Sequence, residues 1–413
     1  MRFRRPKLFN MNFVLFWIGQ FISKIGDNIY EIGLMWLVYK FTGSTLAMGA
    51  TLIVYMSPAL LFGLFAGVFA DRYNKRKILI ISDLIRGLIL LTVPLLAVTN
   101  TLNLFIILAV TFILSSIAVF FNPTANAILP HIVLKKHIIN ANSSLSTSTQ
   151  IAGIIGPAVG GVLVAGFGPM VTIYINSISF IISAIFIGIT RIKLNHKKTA
   201  KPDEKKFNFS NDVVEGLKFI YYNRKVRIGM IIAFLLNMSF GPLNIVIPTF
   251  SEKILHAGPK GFGLLGASLS LGALLGAIII NYIYKVFSKS TLTFMGLFVL
   301  GLSFGIIGVY NNLVCDMFLL ALGGLSLNII SIVIVTSLQT ESPSTLLDRV
   351  FSSFSMIVTL AVPIGAAVAS VLLSSIKSST FFIISGVFII FVSLVYLVLI
   401  SIKPAANTNA ELT

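Results

Sequence analysis

Charge is scarce in this 413-residue chain: only 11% of residues are Asp, Glu, Lys or Arg, while 56% are hydrophobic. A soluble domain carries about 25% charged residues, so the composition excludes a soluble fold and points to a membrane protein. Cysteine is scarcer still. Cys315 stands alone, which excludes an intramolecular disulfide and a set of thiolate metal ligands. The four histidines, His131, His137, His196 and His256, all fall in or beside predicted loops and form no H-E-x-x-H pattern. With 13 acidic residues, no pair of acidic motifs is available to hold a diphosphate and Mg²⁺. There is no G-x-x-x-x-G-K-[ST] loop, so ATP is not the direct energy source. Neither an enzyme nor a metal or cofactor is expected.

What the chain has instead is apolar runs. Twelve of them, near 12–39, 46–70, 78–98, 104–122, 141–166, 170–190, 226–250, 260–285, 290–310, 314–338, 350–375 and 380–402, are long enough to span a bilayer at about 20 residues each. Lys40, Lys253, Lys260 and Lys377 fall in the loops of one side, Lys24 and Arg86 fall within spans, and every other basic residue falls on the other side. That bias predicts both termini in the cytoplasm of a bacterial cell, in its inner or plasma membrane. The net charge of +18 then follows from topology and attraction to anionic lipid, with no need for a nucleic-acid partner. The first run is too long for a signal-peptide core and is expected to stay as the first span.

A polar stretch from Arg191 to Arg227 divides the spans six and six. Within it, Asp212 and Glu215 fit a D-x-x-E capping box ahead of Val213, Leu217, Ile220 and Tyr221 on one face, which predicts a helix lying in the cytoplasmic interface. The halves repeat each other. Gly63 and Gly67 match Gly272 and Gly276, Pro157 matches Pro363, and the 0, 3, 7 spacing of Lys24, Asp27 and Glu31 recurs in Asn237, Phe240 and Asn244 at an offset of 213. The expected fold is an all-α membrane protein of twelve transmembrane helices in two pseudo-symmetric six-helix bundles around a central cavity, with bundles at 1–190 and 226–413 and a linker at 191–225. Two related bundles that rock about a midplane site are the design of a secondary transporter.

The first span holds the most costly residues. Gln20, Lys24, Asp27 and Glu31 share one helical stripe about 16 Å long, with Asn28 beside them. Each ionised residue near the bilayer centre costs at least about 2.5–3.5 kcal/mol, so the stripe must face protein or a cavity. Lys24 can neutralise Asp27, which leaves Glu31 without a partner in the stripe. Asp27, Glu31 or both are therefore candidates to carry a proton or a cationic substrate, unless Glu31 sits solvated at the outer mouth. No other acid reads as deep in a span, since Asp83 falls near the start of the third and Asp316 near the start of the tenth. Gln20, Asn28, Asn237, Phe240 and Asn244 are expected to line the cavity; helix-to-helix hydrogen bonds are the other use for the amides.

Two motifs carry a resemblance. Gly67-V-F-A-Asp71-Arg72-Y-N-Lys75-Arg76-Lys77 resembles the loop signature of the major facilitator superfamily, with Asn74 in place of the loop glycine and tolerant of left-handed backbone there. Gly153-I-I-Gly156-Pro157-A-V-Gly160-Gly161 is similar to the motif of its drug:proton antiporters; glycines at i, i+4 allow close helix approach, and the proline invites a bend. The segments Ser23-K-I-Gly26-Asp27, Asp83-L-I-Arg86, Asn140-A-Asn142-Ser143 and Asp348-Arg349-V-F-S narrow the resemblance to the macrolide-efflux and enterobactin-exporter branch. The fourth span lacks the R-x-x-Q-G signature of many superfamily members, which shifts proton coupling to the first span. The resemblance implies proton-coupled efflux of an amphipathic small molecule by a monomer in contact with membrane lipid; a lysophospholipid or nutrient carrier would use the same scaffold. It also implies a conformational latch of Gly67, Asp71, Arg72, Arg76 and Arg349, in which Asp71 sits against the start of the eleventh span, where Arg349 lies.

Overall fold

The computed structural model describes residues 10–134, 137–190, 218–343 and 346–401. The interfacial helix expected around Asp212 and Glu215 lies outside them, as do the side chains of Asp71 and Arg72 and any placement of Gly67 beyond its helix.

Thirteen helices are named here: α1 Met11–Thr42, α2 Thr45–Arg72, α3 Lys75–Val98, α4 Leu104–Ile132, α5 Ile138–Phe167, α6 Met170–Ile189, α7 Arg224–Phe240, α8 Leu243–Lys253, α9 Gly258–Ile283, α10 Lys289–Tyr310, α11 Leu313–Glu341, α12 Leu347–Ser375 and α13 Ser378–Ser401. Short polar residues start many of them by accepting from the orphan N–H groups of the first turn: Asn10 from Phe13, Ser44 from Ala47, Asn103 from Ile106, Asn223 from Val226 and Ser288 from Thr291. Asn74 does the same for α3, accepting from Lys77 at φ −66°. It is therefore a cap in extended backbone, and the left-handed conformation expected at the loop-glycine position is not used.

By length and apolarity eleven of these segments can cross a membrane, with α7 and α8 counted together as Arg224–Lys253. The protein is a multi-pass membrane protein. The charged stripe of α1 keeps that helix below the same measure of apolarity, although it is 32 residues long. Two boundaries differ from the apolar runs. α4 continues past Asn122 and Pro123 to Ile132, because a helix inside protein can absorb polar residues and prolines that end an apolar run. The seventh run is broken at Gly241–Pro242, where Pro242 caps α8; proline lacks the N–H that would continue the ladder.

α1 packs on α5 and α6, α2 on α4, and α3 on α4 and α6; α9 packs on α11, α10 on α11 and α13, and α7 on α12. These two groups meet along α5–α9, α2–α12 and α1–α8. One repeated contact relates them. A Cβ on Gly156 of α5 would collide with Asn28 of α1, and a Cβ on Gly241 would stand 2.7 Å from the Val362 side chain of α12. Asn28 and Gly241 are 213 residues apart, and Gly156 and Val362 are 206 apart, which are the offsets of the sequence repeat. The same helix pair is built twice, with the large and small partners exchanged.

Close contacts between the groups sit at the side where α1 ends and α2 begins, called the far side below. There the Thr45 hydroxyl donates to the Ser370 carbonyl at 3.0 Å. A Cβ on Gly161 would lie 2.6 Å from the Pro259 carbonyl oxygen and 2.8 Å from Cα of Gly263.

Candidate functional site

The site is built on α1. Gly26 and Gly33 lie so close to α6 that any Cβ would overlap Ser179 and Thr172. This fixes one face of α1 against protein, and the stripe of Gln20, Lys24, Asp27 and Glu31 runs beside it. The Lys24 ammonium lies 3.9 Å from the Asp27 carboxylate, and both side chains are about one-third accessible. Asn176 of α6 donates to Asp27 at 3.4 Å, and the Ser179 hydroxyl donates to Asn176 at 3.0 Å. Asp27 thus has a cation on its own helix and an amide from the next one.

Glu31 is held differently. Its carboxylate accepts from the Asn244 side-chain amide at 2.8 Å. Glu31 and Asn244 are the repeat-equivalent positions, offset by 213; a residue touching its own repeat mate must lie near the axis relating the two halves. Glu31 is accessible although protein surrounds it, so it faces an interior space.

The other residues expected at the cavity are placed as follows. Asn28 donates to the Lys24 carbonyl at 2.7 Å, and Asn237 to the Ala233 carbonyl at 2.8 Å, each on its own helix. Phe240 is half-buried, its ring 5.3 Å from that of Phe304. Gln20 is buried, and its Nε2 has no hydrogen-bond partner among the described residues; it borders a cavity of about 190 Å³ that Lys24, Asn122, Asn126, Ser148 and Thr149 also line. Of the latch residues with described side chains, Arg76 donates from Nε to the Ile187 carbonyl at 3.3 Å and from Nη2 to that of Gly188. There it caps the exposed carbonyls at the end of α6. Arg349 lies half-buried near the start of α12.

The glycine-proline segment has two working faces. Gly156 and Gly160 abut Asn28, Ile29 and Ile32 of α1, whereas Pro157 and Gly161 abut Gly263 and Pro259 of α9, with Gly153 nearest Ser270. One turn of α5 therefore touches the charged helix and the opposite half at once.

Asp83, the ninth residue of α3, and Asp316, the fourth of α11, are both fully buried. Position along a span gives depth in the bilayer, not depth in the protein. Asp83 pairs with Arg86, whose guanidinium lies between the rings of Phe121 and Phe180 at 4.4 and 4.1 Å. Asn176, Asn122 and Asn126 were also missed; an isolated amide in an apolar run was the available signal.

The profile of the family described as transmembrane secretion effector matches residues 6–411. The chain belongs to that family, within the major facilitator superfamily. Macrolide efflux protein A of Streptococcus pyogenes is 25% identical over 387 residues, covering 93% of this chain and 95% of that protein. The multidrug efflux pump Tap of Mycolicibacterium fortuitum is 25% identical, covering 83% and 85%. The putative bacilysin exporter BacE of Bacillus subtilis is 29% identical over 66% of each chain. Among solved structures, nucleoside transporter NupG superposes with a TM-score of 0.79 at 12% identity, over 95% of this chain and all of that one. A bacterial homologue of the iron transporter ferroportin in an inward-facing state gives 0.74 at 13% identity, over 94% and 98%. The fold is that of a membrane transporter.

Proposed function

We propose that the protein exports amphipathic small molecules in exchange for protons, by alternating access through a cavity between two six-helix bundles, residues 1–190 and 226–413. In this reading α1 completes twelve spans, the 191–225 linker joins the bundles, and the side bearing nearly all the loop lysines and arginines is the cytoplasm of a bacterial cell. The efflux names of three relatives support the outward direction and the class of cargo.

The observation that carries the proposal is the hydrogen bond between Glu31 and Asn244. It joins the two bundles at their axis, in accessible interior space, through a group that can gain a proton. An ionised Glu31 accepts a charge-assisted hydrogen bond and favours the state closed at the far side; a protonated Glu31 holds Asn244 less strongly and releases it. Lys24 and Asn176 compensate Asp27 locally, so Asp27 steers the proton or a cationic cargo while Glu31 is the switch. Gln20 and its polar cavity offer hydrogen bonds to cargo on the cytoplasmic side of that switch.

The test is proton movement into sealed proteoliposomes on addition of a macrolide or a lipophilic cation, comparing the wild type with Asp27→Asn, Glu31→Gln and the double variant. Cargo-dependent proton flux should fall to background in the double variant. Undiminished exchange there would sink proton coupling through α1, and lysophospholipid uptake without any drug-dependent flux would replace the exporter reading with a lipid carrier.

A further inference from the structure

A second cavity, of about 700 Å³, lies wholly within the carboxy-terminal half. Its mouth is formed at the helix ends opposite the far side, by Arg224 and Lys225 at the start of α7, Lys289 at the start of α10 and Glu341 at the end of α11. Its walls reach Ile232 and Val333, each eight residues from the end of its helix, which is a depth of about 12 Å. No residue of α1–α6 lines it, so it is separate from the site at Glu31.

We propose that this cavity binds an anionic phospholipid, phosphate at the mouth and the upper part of an acyl chain along the wall. Three cations against one acid give the lining a positive balance. In the Lys225–Glu341 pair at 3.1 Å the lysine side chain is 75% accessible, and an ion pair with so exposed an ammonium contributes little, so a lipid phosphate can compete for the lysine. Two helices of 17 and 22 residues, α7 and α10, begin at the mouth, where their dipoles favour an anion. Hydroxyls of Ser290, Thr293 and Ser337 stand along the same lining. Below them the surface turns apolar, with Ile228, Ile232, Ile334 and Tyr396. A soluble phosphate would use the mouth and leave that floor to water; an amphiphile uses both. The depth and the location at helix ends match the headgroup region of a bilayer, where exposed aromatic residues gather, and the adjoining loop presents Tyr284 and Phe287, both exposed. Basic pockets between helices at this level suit anionic headgroups.

The experiment is native mass spectrometry of the full-length protein released from nanodiscs of equal phosphatidylglycerol and phosphatidylcholine. The wild type should retain phosphatidylglycerol preferentially. Lys225→Gln with Lys289→Gln, which alters one exposed and one half-buried side chain at the mouth, should lower that retention at least five-fold. Gly229→Leu should do the same by filling the cavity, since a Cβ at Gly229 meets only Ile334, at 3.7 Å. Equal retention of both lipids by the wild type, or unchanged retention in both variants, would overturn the proposal. Displacement of the lipid by millimolar glycerol phosphate would show a soluble-phosphate site and overturn it equally.

Discussion

Replacing Asn244 by alanine removes the donor that ties Glu31 to the opposite half while leaving the carboxylate itself in place. A hydrogen bond to a charged group is worth about 1.5–3 kcal/mol. Glu31 borders accessible space, so the lower figure applies, and about 1.5 kcal/mol is a shift of roughly ten-fold in a two-state population. The direction follows from geometry: the bond lies on the same side as the Thr45–Ser370 and Gly161–Gly263 contacts, so its loss favours opening of the far side. Protonation of Glu31 weakens the bond without abolishing it; a neutral hydrogen bond retains about 0.5–1.5 kcal/mol. Acidification of the wild type should therefore move the population the same way but less far, by at most about five-fold, and Asn244→Ala should lose most of that pH response. The assay is the distance distribution between spin labels on Lys40 and Lys377, both exposed at the far side of opposite halves, in a Cys315→Ser background. Glu31→Gln should resemble acidified wild type at every pH. If Asn244→Ala gives the wild-type distribution and keeps the full pH response, the Glu31 switch is refuted.

Three further outcomes follow from other contacts. Gly161→Ala should impair far-side closure and transport much more than Gly160→Ala, because a Cβ on Gly161 meets backbone at 2.6 Å whereas one on Gly160 meets Ile29 and Ile32 at 3.2 Å; equal transport rates in the two variants would contradict this. Arg86→Met should cost about 3–5 kcal/mol of stability by leaving Asp83 buried without its cation, and Asp83→Leu with Arg86→Met should recover most of it, as read by thermal unfolding in detergent. Cysteine at 244 should react with a soluble thiol reagent and be protected by cargo, whereas cysteine at 240, behind the Phe304 contact, should react slowly; the reverse order would move the cavity wall.

The stripe on α1 was legible because charge in a span is expensive and helical spacing assigns a face. Its partners were less legible. The repeat marked Asn244 as the counterpart of Glu31, yet a matching position predicts an equivalent place, not a contact; only a location near the symmetry axis turns one into the other. Asn176, which donates to Asp27, comes from a helix with no counterpart motif in the sequence reading. The surroundings of Arg86 come from α4 and α6, through Phe121 and Phe180, and no pattern within α3 announces them. The break at Gly241–Pro242 was visible as a dipeptide, but apolar residues run through it, and prolines at 58, 94, 123, 157 and 363 leave their helices unbroken. Whether a proline ends a helix depends on what receives the freed carbonyls and fills the bend. Beside this break Val362 packs against Gly241, and Gly365 lies against the Met238 backbone, where its missing side chain lets the two helices touch.

That interlock explains why the two halves differ where they match most closely. In the first half Asn28 fills the space over Gly156, and α1 runs straight through with its charges; in the second, Gly241 yields to Val362, and the span divides into α7 and α8. Each pair thus has one residue filling the space over a glycine of its neighbour, at equivalent positions of the repeat. The stripe positions of α1 become Asn237, Phe240 and Asn244, neutral groups that can donate a hydrogen bond or stack but cannot titrate. In the proposed proton exchange, the carboxylates of the stripe lie on the first half and Asn244 presents a neutral donor to one of them. If Glu31 is the switch, a neutral mate suits it: by Coulomb's law an anion at position 244 would repel the ionised carboxylate, and a cation there would hold it too tightly to release.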